Sequence, residues 1–197
     1  MASKDEIRAS HRAKRAALTR ARQDSAGAGI ARHGLAWASV LTRGGAGTFA
    51  VYLGVGSEPP TRPLLAALHG AGHRILLPVC EPELVLSWVY WTPESDFARS
   101  RYAPIQEPVG ERHDTSIMKH TAGIFLPATA VDYSGNRIGQ GGGYYDKFLA
   151  ALADALPAGT GASDGGPLPS LPTAAIVYDA EVLPAGTIPA EPFDRKV

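Results

Sequence analysis

Apolar positions along the chain change period several times, and each change marks an element. Ser3 followed by Glu6 has capping-box spacing, in which hydroxyl and carboxylate each satisfy one end amide, and predicts a helix over residues 3–23. A second helix is expected from Ile30 to Leu41. TFAVYL, residues 48–53, is a short apolar run and reads as a buried strand. The loop GVGSEPPT follows, then a helix from Pro63 to His69 that Gly70 and Gly72 stop. His73 to Val79 and Leu84 to Trp91 read as strands, with Pro82 marking the turn between them. Residues 92–122 are polar and broken by Pro104 and Pro108, and no period assigns them an element. AGIFLPATAV, residues 122–131, reads as one buried strand that runs into the turn DYSGN and a glycine cluster. Tyr145, Phe148, Leu149, Leu152 and Leu156 fall at helical spacing. Residues 157–172, rich in glycine, proline and serine, predict a mobile surface loop, because a last strand, Ala174 to Tyr178, comes after them. The tail from Pro184 to Val197 reads as irregular. Strands alternating with helices predict an α/β protein, a sheet with helices packed on its faces.

The length of 197 residues fits one domain spanning 1–197. Nineteen basic residues balance nineteen acidic ones, which argues against a chain built to coat nucleic acid or an anionic membrane and leaves room for a local basic pocket. Cys80 is the only cysteine, so an internal disulfide and a four-cysteine zinc site are both excluded. No apolar run approaches the roughly 20 residues that span a bilayer. The first residues lack the apolar stretch of a secretory signal, and Asp5 and Glu6 speak against a transit peptide, so a cytoplasmic location is expected.

The segment GNRIGQGGGYYDKF, residues 135–148, carries the strongest chemical signal. Glycines between a strand and a helix let backbone amides approach an anion, and the helix start adds its positive end. Arg137 would add fixed charge there, and Asp146, in the first helical turn, could hold magnesium bridging phosphate oxygens. The spacing matches neither a Walker A loop nor the dinucleotide fingerprint. By itself it does not choose between a phosphate site and a flexible turn with an ordinary acidic residue near the helix start. Lys4 and Arg8 lie one turn apart on the first helix, with Arg12 and Arg15 continuing that face. Such cations grip neighbouring phosphates or form a solvated basic face paired to acids elsewhere. Glu58, in a loop after a buried strand, stands where α/β sheets bind ligands and could accept from ring nitrogens, or be an ordinary loop glutamate. The six histidines lack metal spacing within one element, and no serine lies in a GxSxG elbow, so neither a zinc nor a serine hydrolase is supported.

Taken in order, these segments resemble the 5-formyltetrahydrofolate cyclo-ligases, also called 5,10-methenyltetrahydrofolate synthetases. Lys4 and Arg8 look like the family's N-terminal basic pair, and YLGVGSEPPT, residues 52–61, like its Glu-x-x-Thr loop. ILLPVC is similar to a later strand, PIQEPVG, residues 104–110, to its Ile-x-Glu-Pro stretch, and FLPATAVDYSGNRIGQGGGYYDKFL, residues 125–149, to its most specific signature. IVYDAEVL and IPAEPFD, which ends at Asp194, resemble its closing strand and acidic tail. Gly142 stands where some members carry a lysine, and Phe193 where a histidine usually precedes the aspartate.

The resemblance implies a three-layer α/β/α domain with a largely parallel sheet, of the type shared with sugar-phosphate isomerases and CoA transferases. It implies conversion of 5-formyltetrahydrofolate and ATP, with Mg2+, to 5,10-methenyltetrahydrofolate, ADP and phosphate. It further implies that Lys4, Arg8, Arg137, Gly139, Gln140, Gly141, Gly142, Gly143, Tyr144 and Tyr145 serve ATP, with Arg137, Tyr144 and Asp146 catalytic. Leu53, Glu58, Gln140, Gly141, Gly142, Gly143 and Tyr144 would face the folate, and Asp146 and Asp194 would hold the metal. Trp88, Trp91 and Tyr102 are the aromatic candidates to stack on the folate or to fill the core. A monomer without nucleic-acid or membrane partners is expected. A phosphosugar or CoA-type enzyme on the same fold and a catalytically silent folate- or nucleotide-binding protein are the rival readings.

Overall fold

In the computed structural model, which describes residues 2–155 and 171–189, the capping box forms as expected. The Ser3 hydroxyl accepts from the Glu6 amide at 3.2 Å, and the Glu6 carboxylate accepts from the Ser3 amide at 2.8 Å. Helix α1 then runs over Lys4–Ala16 and stops short of the predicted residue 23. Thr19 caps a new helix, α2, Arg20–Thr42, accepting from the Arg22 amide at 3.4 Å. The break and the early start of α2 correct both helix boundaries read from sequence. The glycines of DSAGAGIARHG hide the helix because each lowers local propensity, but tertiary packing requires them. A Cβ on Gly34 would lie 2.5 Å from a Leu64 methyl, and one on Gly27 would lie 3.2 Å from the Pro63 ring.

Strand β1 (Thr48–Val51), α3 (Arg62–Gly70), β2 (Arg74–Cys80) and β3 (Leu86–Trp91) follow the predicted order. The unassigned region supplies a small ribbon, β4 (Phe97–Arg99) with β5 (Gln106–Pro108), and a 3-10 turn over Thr115–His120. The run from 122 to 131 is two strands rather than one, β6 (Gly123–Pro127) and β7 (Ala130–Asp132), in different sheets. Strand β8 (Arg137–Ile138), helix α4 (Tyr144–Ala155), β9 (Thr173–Ile176) and β10 (Val182–Leu183) complete the chain. The predicted loop at 157–172 lies outside the described residues except for Leu171 and Pro172. The Pro172 carbonyl accepts from the Ile124 amide at 2.9 Å.

The main sheet has the order β3-β2-β1-β6-β9, parallel except for β3 at one edge. Strand alternation sends Phe49, Val51, Ile75 and Leu77 to one face, where they pack with Ala38 of α2 and Leu64, Leu65 and Leu68 of α3. Ala50, Leu76, Ile124 and Leu126 point to the other face, against Met118 of the 3-10 turn and Phe148, Leu149 and Leu152 of α4. Helices on both faces of a mostly parallel sheet make the three layers, and both faces of the central strands are buried, hence their unbroken apolar runs. Trp88 lies wholly inside this second layer, so it is core and not a ligand platform.

A small sheet, β10-β7-β8, stands beside the main one and carries α1: Ile7 packs with Ala130, Ile138 and Ile188. Its turn is tied by the buried Asp132 carboxylate, which accepts from the Ser134 and Asn136 amides, the Asn136 side chain and the Ile188 amide at 2.9–3.1 Å. Burial pushes this carboxyl pKa up, but the donors outweigh it and the net shift is downward. A depressed folded-state pKa stabilises the fold above the unfolded value, and that contribution fades as pH falls through the folded value. Urea titrations of the wild type and Asp132→Asn from neutral pH to about pH 3 are expected to show a wild-type advantage of about 1–3 kcal/mol that narrows with acid.

Candidate active site

Parallel strands of one sheet end together, and a cleft opens at the carboxyl ends of β1, β2 and β6, where such sheets place ligands. Tyr52, Leu53 and Glu58 line it after β1, Pro78 and Cys80 at the end of β2, and Pro127 at the end of β6. Ala103, Ile105 and Pro108 form one wall, and the glycine segment from Arg137 to Asp146 forms the other. The cleft encloses about 940 Å³, open solvent at its mouth included. Its lining is mostly apolar with a few polar groups, Glu58, Gln106, Arg137, Gln140 and Asp146, the combination expected of a small-molecule site.

The glycine wall is shaped by close approach. Gly141 (φ 97°) and Gly143 (φ 76°) occupy the left-handed region that side chains avoid. A Cβ on Gly139 would lie 3.0 Å from an Arg137 Nη1, and one on Gly143 would lie 3.1 Å from a Leu84 methyl. Arg137 itself is buried; its Nη2 donates to Asp146 Oδ1 at 2.5 Å, and its Nε has no partner among the described residues. Helix α1 reaches this wall with two cations. Arg8 Nε donates to the Gly139 carbonyl at 2.9 Å, and Arg12 Nη2 donates to the Gln140 carbonyl at 2.7 Å. Lys4 sits one turn before Arg8, at the start of the helix.

Arg15 does not share that role. The last turn of α1 runs under the end of β6, where Arg15 Nε and Nη2 donate to Glu181 Oε1 and Oε2 at 2.6 and 2.8 Å. A further bond from Arg15 Nη2 reaches the Ala128 carbonyl at 2.7 Å, and the pair is buried. The basic face read from sequence is therefore divided: its start overhangs the glycine wall and its end anchors the helix.

Across the cleft, the loop after β1 is held by Thr61, whose hydroxyl accepts from the Gly54 amide and donates to the Tyr52 carbonyl at 2.9 and 2.8 Å. A Cβ on Gly54 would lie 2.4 Å from the Pro59 carbonyl, so the loop folds back only with glycine there. This presents Glu58, which accepts from the Val55 amide and from Gln140 Nε2, each at 3.0 Å. Burial raises the Glu58 pKa, opposed by those two donors and by the Arg15 charge. The Tyr52 and Tyr145 hydroxyls nearby are buried without partners among the described residues. Burial raises both phenol pKa values, with the Glu58 charge adding to it. Cys80 on the cleft floor is pushed up to about 12 by burial and by Glu107, whose carboxylate also accepts from the Cys80 amide at 2.7 Å. It is a packed thiol rather than a nucleophile.

Of the two proposed metal ligands, Asp146 is a largely exposed carboxylate lining the cleft, and Asp194 lies outside the described residues. Among the described residues no group of three or more His, Cys, Asp or Glu could enclose a metal. One exposed carboxylate does not fit an all-protein cage. It does fit magnesium, which keeps several waters and takes the rest of its shell from substrate phosphates.

The model of the 5-formyltetrahydrofolate cyclo-ligase family matches residues 1–197. The chain belongs to this family of ligases. It is 33% identical over 140 residues to the 5-formyltetrahydrofolate cyclo-ligase of Escherichia coli K12, covering 70% of this chain and 75% of that protein. To the enzyme of that name from Mycolicibacterium smegmatis it is 34% identical over 166 residues, covering 80% and 74%. The solved 5,10-methenyltetrahydrofolate synthetase of Mycoplasma pneumoniae superposes with a TM-score of 0.67 at 16% identity over 100% of this chain and 96% of that one. The one from Aquifex aeolicus gives 0.67 at 22% identity over 98% and 86%. These two likenesses bear on the fold. No helix among the described residues is long and apolar enough to cross a membrane.

For this family member, the geometry brings together Leu53, Glu58, Arg137, Gly139 to Tyr145 and Asp146 around one cleft, with Arg8 bonded to its wall. Neither Trp88 nor Trp91 nor Tyr102 lines it. Tyr52, Cys80, Ile105 and Pro127 line it and were not singled out as cleft residues by the sequence pattern. The signal that would have found three of them is position, since each closes or directly follows a parallel strand. Gly143→Ala is expected to destabilise the protein by about 1–2 kcal/mol in chemical denaturation, through its left-handed backbone and the Leu84 contact. Tyr52→Phe, which removes an unpartnered buried hydroxyl, is expected to leave stability equal or up to about 1 kcal/mol higher.

Proposed function

We propose that the protein converts 5-formyltetrahydrofolate and ATP to 5,10-methenyltetrahydrofolate, ADP and phosphate. The observation that carries this reading is the meeting of Arg8 and Arg12 with the glycine wall, which Gln140 links to Glu58 in the same cleft. Cations and amides on one side suit a triphosphate, and a carboxylate over an apolar floor suits a ring system with N–H groups.

The chemistry needs both. The formyl group on N5 is amide-like, so its carbon is a poor electrophile and its oxygen a poor leaving group. Transfer of the terminal phosphoryl group to that oxygen breaks the bond to ADP and leaves an iminium carbon. N10 attacks this carbon, its proton is lost to solvent, and the carbon–oxygen bond breaks as phosphate departs. Such a reaction is accelerated by positioning and charge stabilisation. Lys4 and Arg8 at the start of α1 would neutralise the phosphates, and the amides from Gly139 to Tyr145 would wrap them. Arg137 would fix Asp146. Leu53 and Glu58 would orient the pterin, and Tyr144 would face the reacting groups from the start of α4. Magnesium, held by Asp146 and, by resemblance, Asp194, would supply charge neutralisation between phosphate oxygens.

With both substrates and magnesium, methenyl product and ADP are expected in equal amounts. Folate binding without turnover would favour the silent-protein reading instead. Asp146→Asn is expected to lose turnover by about 100-fold or more while folding normally, since its side chain is mostly exposed. Undiminished turnover would remove the metal role. Arg8→Ala is expected to raise the KM for ATP about tenfold and change that for folate little; equal loss of both would argue against a phosphate contact.

A further inference from the structure

Gln140 belongs to both halves of the cleft at once. Its carbonyl is held by Arg12 of α1 at 2.7 Å, and its side-chain amide donates to Glu58 Oε1 at 3.0 Å. The neighbouring carbonyl, of Gly139, is held by Arg8 at 2.9 Å. The cations assigned to the nucleotide and the carboxylate assigned to the folate thus share one short loop as a partner, with Arg8 also paired to Asp5 at 2.6 Å and Glu58 to the Val55 amide at 3.0 Å. Gln140 is its only residue with a side chain between Gly139 and Gly143, and the left-handed glycines at 141 and 143 give that loop freedom to move.

We propose that Gln140 acts as a latch coupling the nucleotide and folate sites, an inference that rests on the functional reading above. Phosphate oxygens are stronger acceptors for guanidinium groups than neutral carbonyls are. A triphosphate at the glycine wall draws Arg8 and Arg12 from the Gly139 and Gln140 carbonyls. The loop shifts, the Gln140 amide leaves Glu58, and the carboxylate is freed on one oxygen. Glu58 is buried, and burial makes its charged form seek donors. A ring presenting paired N–H groups then finds an acceptor that no longer has to be won from the protein. Nucleotide binding raises folate affinity, and by linkage folate raises nucleotide affinity by the same factor. Gln140 is in this sense a positioning residue: it acts through Glu58.

The test is calorimetric titration of 5-formyltetrahydrofolate with and without saturating magnesium and β,γ-methylene ATP, a nucleotide that cannot transfer its terminal phosphoryl group. The wild type is expected to bind folate about fivefold or more tightly with the nucleotide present. Gln140→Met keeps the length and removes the donor. In it the nucleotide is expected to change folate affinity less than about twofold. A residue with only a structural role would weaken both ligands and leave their ratio intact. Arg12→Ala, an exposed substitution, is expected to reduce the ratio in the same way and serves if Gln140→Met does not fold. Retention of the full ratio in the variants, or independent binding of both ligands to the wild type, overturns the latch. Failure of the wild type to bind either ligand overturns the functional reading itself, and the latch with it.

Discussion

The buried pair of Arg15 and Glu181 is the constraint on which the site depends. Glu181 belongs to a short turn next to β10, and its carboxylate also accepts from the Tyr178 amide at 2.9 Å. Arg15 adds a bond to Ala128 and lies 5.7 Å from the Tyr178 ring centroid. One side chain therefore joins α1, the link between β6 and β7, and the segment after β9. Helix α1 otherwise rests on few apolar contacts, chiefly Ile7 against the small sheet. The pair fixes the last turn of α1, and so supports the position in which Arg8 and Arg12 meet the glycine wall. Desolvating two charges is unfavourable unless they are paired and hydrogen-bonded, as here, so loss of either partner leaves an unpaired buried charge.

The anchored helix gives the sheet a function it would not have alone. Strands that end together make an apolar floor, and the loop after β1 brings a carboxylate to its rim. Two cations reach its glycine wall from the other end of the sequence. The loop between Arg137 and Tyr144 joins the two, because glycines let its backbone lie between helix and carboxylate without side chains in the way. The same freedom makes it able to yield to a ligand.

Much of this was legible in the amino-acid order. The apolar runs around Ala50, Leu76 and Ile124 announced central strands because both sheet faces are covered. The capping residues Ser3 and Glu6 fixed one helix end by local hydrogen bonding. The glycine cluster, Glu58 and the N-terminal cations were recognisable as residues of one family, and the fold brings Glu58 and the glycine cluster to one cleft, with Arg8 bonded to its wall. What sequence concealed has a common cause in long-range packing. Gly27 and Gly34 lie within a helix because α3 presses against it. The run from 122 to 131 crosses from one sheet to another with no change in apolar character. Arg15 shares a helical face with Arg8, and only Glu181, distant in sequence, makes it an anchor. Tyr52 gave no chemical signal until its hydroxyl is found buried beside Glu58 with no partner among the described residues.

Convergence of α1 and the glycine loop on one triphosphate is tested most directly by hydrogen–deuterium exchange with and without magnesium and a non-hydrolysable ATP analogue. Nucleotide alone should slow exchange together in the first turns of α1 and in the segment from Gly139 to Tyr145, leaving the far edge at β3 unchanged. Protection confined to one of those two segments, or absent from both while the nucleotide is bound, would contradict a shared phosphate site.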